Sequence, residues 1–141
     1  MDYPENVKEM INDFQFLTDW EDRYMHVIDM GKLLPSLNET EKTDTNKVKG
    51  CVSQVWLISN ISDGPDPMLN FRGDSDAHIV KGLVAITLEI FSNRKASEIL
   101  SLNAIEILRE LELDEYLSLQ RANGLKAMIA RIKDYAQNAL N

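Results

Sequence analysis

Hydrophobic residues near the start of the chain recur at spacings of three and four, which is the pattern of an amphipathic helix. The pattern predicts a helix from Asn6 to Leu17, with an apolar face made of Val7, Met10, Ile11, Phe14 and Leu17. Pro4 precedes it, where the beginning of a helix tolerates proline.

A second helix is predicted to follow, because Thr18 or Asp19 can cap its first turn. Its buried face is expected to consist of Trp20, Tyr24, Val27, Ile28 and Leu34, and Pro35 follows its end. The two segments together predict a helical hairpin, with Trp20 in the core.

The pattern changes to alternation in the middle of the chain. Residues 53–61 and 68–72 alternate in the way that strands do, and residues 62–67 between them are rich in turn-forming types. An antiparallel hairpin is therefore expected, with a further short strand at residues 47–49. The polar segment 36–47 is expected to be a surface connection that leads into it.

Helical spacing returns after this hairpin. Residues 73–76 (Gly-Asp-Ser-Asp) are expected to end the strand and to cap a long apolar helix that contains Ile79, Leu83, Ile86 and Ile90. Short helical pieces are predicted within 97–113, and a last helix within about 120–139. Helices, then a hairpin, then helices indicate an α+β fold, a small antiparallel sheet flanked by helices in a single domain 1–141.

Composition excludes several classes of function. A net charge of -8 argues against nucleic acid as a partner, since phosphate binding requires concentrated Lys and Arg. The apolar runs are short and interrupted by charges, so no membrane span is expected, and the acidic first residues do not resemble a secretion signal. A cytoplasmic protein is expected.

The chain has one cysteine, Cys51. One thiol cannot form an internal disulfide, and it cannot supply the thiolates of a structural zinc or iron–sulfur site. No metal site and no cofactor are predicted.

Cys51 is the strongest candidate for chemistry, although most free cysteines are small buried hydrophobic residues. Gly50 before it permits a tight bend, and Lys47 and Lys49 are expected to favour the nucleophilic thiolate. Its apolar neighbours Val52 and Val55 suggest a thiol that is sheltered in the free protein and swings out when a partner docks.

Other residues offer alternatives. The start of the long helix, with Asp74, Ser75 and Asp76, would stabilise an anion near Cys51 or would simply be capped. His78, oriented by Asp74 or Asp76, would make Cys51 a hydrolase nucleophile. Arg121 opposes the dipole at the start of the last helix, so it is expected to pair with a carboxylate of this chain or to reach a partner.

Three segments in the same order resemble the SufE family of sulfur-acceptor proteins, which includes the CsdE type. They are Gly50-Cys51-Val52-Ser53-Gln54-Val55-Trp56, then the segment 71–83 (FRGDSDAHIVKGL), then the segment 117–125 (LSLQRANGL). The likeness extends to Phe14, to residues 20–24 and to residues 31–35, and so covers nearly the whole chain.

This resemblance implies a fold shared with the IscU scaffold proteins and a role in iron–sulfur cluster assembly. Family members accept sulfur as a persulfide from a pyridoxal-phosphate-dependent cysteine desulfurase (SufS- or CsdA-like). They stimulate that enzyme and pass the sulfur to an assembly complex (SufBCD-like). By this resemblance Cys51 is the persulfide carrier, and Arg121, with Gln54 and Asp74 of the same segments, is expected to contact the partner.

The resemblance therefore predicts an accessory protein that carries sulfur and activates a desulfurase, not a stand-alone enzyme. A second hypothesis is a regulatory module that activates a desulfurase without carrying sulfur. A hydrolase that uses His78 is the third.

Overall fold

The structure is a computed structural model that describes residues 2–113 and 117–141. It begins with helix α1 (Glu5–Phe16) and helix α2 (Trp20–Leu33). The Asp19 carboxylate caps α2 by accepting a hydrogen bond from the Glu21 amide. The rings of Phe14 and His26 meet edge to face at 4.8 Å between α1 and α2. Both predicted helices are confirmed.

The sheet is antiparallel and contains β1 (Val55–Ile61), β2 (Met68–Ser75) and β3 (Arg94–Lys95), in that order. The predicted hairpin is confirmed, and the expected short strand at 47–49 is present as a single bridge between Lys47 and Trp56. The two-residue strand β3 was not predicted, because two residues are too few to show alternation.

Helix α3 (His78–Phe91) lies at the centre and packs against both the sheet and α2. Its predicted apolar face is buried, with Val84 and Ile86 inaccessible to solvent. The approach to α2 is so close that a Cβ on Gly82 would lie 2.2 Å from the Val27 carbonyl oxygen. Glycine is therefore required where the two helices meet.

Two sequence-based expectations about this region are wrong. Trp20 is 49% exposed, because the first turn of α2 extends beyond the core that Val27 enters. The segment 73–76 contains the end of β2, but it does not cap α3 with its side chains. The strand continues to Ser75, and α3 has Ala77 at its N-cap position with no side-chain cap.

The extension of β2 changes the environment of Asp74. Its side chain is almost fully buried, and its carboxylate accepts hydrogen bonds from the Leu37 and Ser75 amides at 3.0 and 2.8 Å. It also forms ion pairs with Lys81 at 3.3 Å and Lys42 at 3.8 Å. Asp74 therefore ties the connection after α2 to the sheet and to α3.

The second half of the chain adds α4 (Ala96–Ser101), α5 (Ala104–Glu110) and α6 (Leu119–Leu140). Helix α6 packs on α3 and α4 through Leu125, Met128 and Ile132. The fold is α+β, a three-stranded antiparallel sheet with helices, as predicted. None of the helices in the described part of the chain is long and apolar enough to cross a membrane.

Candidate functional site

The cysteine lies on a short loop whose two ends are held together. The Val48 amide donates a hydrogen bond to the Val55 carbonyl at 2.8 Å, and the Leu57 amide donates to the Asn46 carbonyl at 2.8 Å. The Gln54 amide donates to the Asp76 carboxylate at 3.0 Å. Residues 49–53 thus form a loop that is closed at its base, and we call this segment the cysteine loop.

Helix α6 reinforces the base of the cysteine loop. The Arg131 guanidinium donates hydrogen bonds to the carbonyl oxygens of Lys47 at 2.6 Å and Thr45 at 2.5 Å. It also lies 5.7 Å from the centre of the Tyr135 ring, a cation–π distance. These contacts hold the segment before the cysteine loop in place. They do not involve residues 49–53 themselves.

Within the loop, the bend predicted at Gly50 is present, with a φ of +92° that residues with a side chain rarely adopt. It turns the half-buried Cys51 side chain toward α6, where the thiol donates a hydrogen bond to the Gly124 carbonyl with Sγ and oxygen 3.5 Å apart. Val52, the next residue, is 74% exposed. The loop therefore shelters its thiol and presents an apolar side chain to solvent.

The thiol borders a cavity of about 300 Å³ between the cysteine loop, α3 and the start of α6. Its floor is apolar, formed by Val55, Val80, Leu83, Leu125 and Met128. Arg121 and Gln120 supply polar groups at the side of α6. The cavity places one nucleophile and one cation beside an apolar wall.

Burial raises the pKa of the Cys51 thiol, and no neighbouring charge opposes that effect. The expectation that Lys47 and Lys49 favour the thiolate is therefore wrong. Neither lysine contributes to the shift of the Cys51 pKa, although both are close in sequence. In this conformation of the cysteine loop the thiol is neutral at neutral pH, and a neutral thiol is a poor nucleophile.

Arg121 reaches this cavity from the first turn of α6, where its backbone amide donates a hydrogen bond to the capping Ser118 hydroxyl. It also lines a small second cavity with Trp20 and Tyr24. Within residues 2–113 and 117–141 no carboxylate forms an ion pair with it. Of the two alternatives for Arg121, this geometry favours contact with a partner.

The other predicted site residues occupy different positions. Gln54 is exposed at the foot of the cysteine loop, and its side-chain amide lies 3.4 Å from an Asp76 carboxylate oxygen. Asp74 is buried in its ion pairs, so its position argues against direct contact with a partner. The two residues share the end of the hairpin but not the cavity.

The structure does not assemble a Cys-His-Asp arrangement. His78 is exposed and is not among the residues that line the cavity beside Cys51. Asp74 binds Lys81, and Asp76 binds Gln54, so both carboxylates that would orient the imidazole are engaged elsewhere. The hydrolase hypothesis has no support in this geometry, and the described residues contain no group of His, Cys, Asp and Glu suited to a metal ion.

Gly124 is a site residue that the sequence analysis missed. It is buried in α6 directly against Cys51. A glycine inside a helical pattern is itself a signal, because it costs about 1 kcal/mol relative to alanine and therefore suggests a packing reason. The sequence did not show which residue packs there.

Comparison with known proteins agrees with this architecture. A solved solution structure of a hypothetical protein from Thermus thermophilus matches with a TM-score of 0.77 and 18% sequence identity, and the match covers 99% of this chain and 98% of that one. At this identity the likeness shows the fold alone.

Sequence comparison is more specific. An uncharacterized SufE-like protein of Rhizobium meliloti (strain 1021) is 53% identical over 136 residues, which are 96% of this chain and 97% of the relative. A second uncharacterized SufE-like protein, from Rhizobium etli, is 53% identical over 133 residues, with 94% and 90% coverage. The family model described as "SufE: Fe-S metabolism associated domain" matches residues 8–136. The chain therefore belongs to the SufE family and has a role in Fe-S metabolism.

Proposed function

We propose that this protein accepts sulfur as a persulfide on Cys51 from a pyridoxal-phosphate-dependent cysteine desulfurase, stimulates that enzyme, and delivers the sulfur to an iron–sulfur assembly complex. It acts as a carrier and activator in the cytoplasm, where thiols are kept reduced. The observation that carries the proposal is the position of Cys51, on a loop whose backbone hydrogen bonds lie at its base and whose thiol borders an open, largely apolar cavity.

The transfer requires no metal and no external oxidant, because Cys51 gains the S–S bond that the donor cysteine loses. The Cys51 thiolate attacks the outer sulfur of a persulfide on the desulfurase, forming a new S–S bond to Cys51. The old S–S bond breaks, and the cysteine of the donor leaves as a thiolate. That thiolate takes up the proton lost from Cys51, so atoms, electrons and protons balance.

The presence of one cysteine supports a carrier. A second thiol near the loaded sulfur would attack the persulfide, form a disulfide and release sulfide. Cys51 is the only cysteine of the chain, so the loaded sulfur meets no competing thiol of its own protein.

The raised pKa of Cys51 supports a reaction that waits for the partner. The half-buried thiol stays neutral and reacts slowly with small molecules. A desulfurase that draws the cysteine loop away from α6 exposes the sulfur to water and to the acid–base groups of the desulfurase. Transfer and docking are thereby coupled.

Arg121 suits the role of a contact to the desulfurase. Its guanidinium reaches the cavity beside Cys51 and has no ion-pair partner within the described residues. A guanidinium forms paired hydrogen bonds to a carboxylate, which orients two proteins as well as attracting them. Gln54, exposed at the foot of the loop, is proposed to contribute a weaker contact.

The test is the Cys51→Ser variant, assayed for desulfurase stimulation by the release of alanine from cysteine. A carrier predicts that the variant still binds the enzyme but loses the stimulation, since it cannot remove sulfur from it. Ser101→Ala, at an exposed position of α4 that does not line the cavity, is the control and should stimulate normally. Full stimulation by Cys51→Ser would instead support a regulatory module that carries no sulfur.

A further inference from the structure

The contact between Cys51 and Gly124 is a close approach between the cysteine loop and α6. If Gly124 carried a Cβ, the three nearest atoms would all belong to Cys51: Sγ at 3.2 Å, Cβ at 3.6 Å and Cα at 3.7 Å. Glycine is among the least favourable residues inside a helix, so helix formation does not account for it. The thiol occupies the space that a side chain at position 124 would fill.

We propose that Gly124 is a positioning residue that lets the Cys51 thiol dock against α6 and so keeps it unreactive in the free protein. This inference rests on the proposed function and adds to it how the carrier thiol is protected between partners. The thiol donates a hydrogen bond to the Gly124 carbonyl, which it reaches because no side chain separates the loop from the helix backbone.

Docking holds the loop through few contacts. Besides Cys51, the loop approaches α6 at Gly50, where a Cβ would lie 3.4 Å from the Ala127 methyl group. The bonds of Val48 and Gln54 lie outside the part that must move. Residues 49–53 can therefore leave α6 while both ends of the loop stay in place.

The consequence is a thiol with two states. When docked, it is desolvated, its pKa is raised and it reacts slowly. When undocked, it is solvated and its pKa returns toward the usual value of a cysteine, about 8.5. A methyl group at position 124 would crowd the docked thiol, because its Cβ would lie 3.2 Å from Sγ. A larger side chain would fill the docking space and favour the second state.

The test measures alkylation of Cys51 by iodoacetamide as a function of pH, in the free protein. Gly124→Ala and Gly124→Leu are compared with Asn123→Ala and Asn123→Leu, which add the same side chains at the exposed neighbouring position. We expect rates in the order wild type, Gly124→Ala, Gly124→Leu. The leucine variant should react at least about tenfold faster than wild type, as expected if the open loop is a minor state.

The pH midpoint of the reaction is the second measurement. It should fall in both Gly124 variants and remain unchanged in both Asn123 variants. A Gly124→Leu protein that is folded by circular dichroism but has the rate and midpoint of wild type would overturn the inference. If that variant does not fold, Gly124→Ala decides in the same way, since alanine favours the helix.

Incubation of the same variants with a cysteine desulfurase and cysteine separates this inference from the proposed function. Faster alkylation of the Gly124 variants, with no sulfur loaded on any form of the protein, would leave the inference standing and refute the carrier. Sulfur loading of the wild type, with unchanged alkylation in the Gly124 variants, would refute the inference about Gly124 and leave the carrier function standing.

Discussion

Replacement of Asp74 by asparagine tests how the hairpin that carries the cysteine loop is held. The Asp74 carboxylate is almost fully buried, accepts two backbone amide hydrogen bonds and pairs with Lys81 and Lys42. Asparagine has the same shape, so Asp74→Asn leaves little or no cavity. It removes the charge and replaces one of the two acceptor oxygens with an NH2 group that cannot accept from a backbone amide. Its effect therefore reports on charge and hydrogen bonding and not on packing.

The expected loss of stability follows from these contacts. Removal of one partner from a fully buried ion pair costs about 3–5 kcal/mol, and a hydrogen bond to a charged group contributes about 1.5–3 kcal/mol. The side chains of Lys81 and Lys42 are 19% and 23% exposed, so water partly solvates them once Asp74 is neutral. We expect Asp74→Asn to lower the free energy of unfolding by about 2–3 kcal/mol at pH 7.

The loss should depend on pH. Burial acts to raise the pKa of Asp74, but hydrogen bonds from the Leu37 and Ser75 amides and the charge of Lys81 outweigh it, and the pKa is lowered overall. A carboxyl group with a lowered pKa stabilises the fold fully above its unfolded value of about 3.9 and loses that contribution as the pH falls through the folded value. The difference between the variant and wild type should therefore shrink on acidification below about pH 4.

The assay is urea denaturation of both proteins at pH 7 and at a series of acidic pH values. Asp63→Asn, in the exposed turn between β1 and β2, is the control and should change stability by less than about 0.5 kcal/mol. Equal stability of Asp74→Asn and wild type at pH 7, or a difference that does not change with pH, would show that the Asp74 charge does not stabilise the fold. If Asp74 acts only on the fold, the folded variant should also load sulfur normally.

Two further substitutions test the packing and the partner contact. Gly82→Ala should destabilise the protein by at least about 3 kcal/mol in thermal melts, because its Cβ would lie 2.2 Å from the Val27 carbonyl oxygen. Gly64→Ala is the control, since a Cβ there meets nothing within 4 Å. It should cost only about 1–2 kcal/mol, because the φ of Gly64 is +116°. Equal melting temperatures for these two would contradict the close packing of α2 on α3. Arg121→Ala should weaken desulfurase binding about tenfold or more, as lost charge-assisted hydrogen bonds predict, while Arg109→Ala on α5 should not. Normal binding by Arg121→Ala would remove Arg121 from the interface.

The sequence predicted the helices and the hairpin because their patterns are long. Helix α3 has 14 residues with a broad apolar face, and β2 alternates between exposed and buried residues from Met68 to Gly73. The family resemblance then identified both Cys51 and Arg121 as site residues. The structure places both beside one cavity.

The errors arose where tertiary contacts overrode local signals. Gly73 reads as the end of a strand, yet it lies within β2, where a Cβ would be 2.8 Å from a Val84 methyl group of α3. Asp74 reads as a helix cap, yet the longer strand buries it beside Lys81. Burial against Gly124, which is 73 residues away in sequence, shifts the pKa of Cys51, and the neighbouring lysines do not.

Mass spectrometry can show whether Cys51 carries sulfur. The protein is incubated with a cysteine desulfurase and cysteine, alkylated, digested and sequenced by fragmentation. We expect one additional sulfur atom per chain, located on Cys51 and removed by a reducing thiol. No added sulfur on Cys51 while the desulfurase turns over, or added sulfur at another residue, would contradict it.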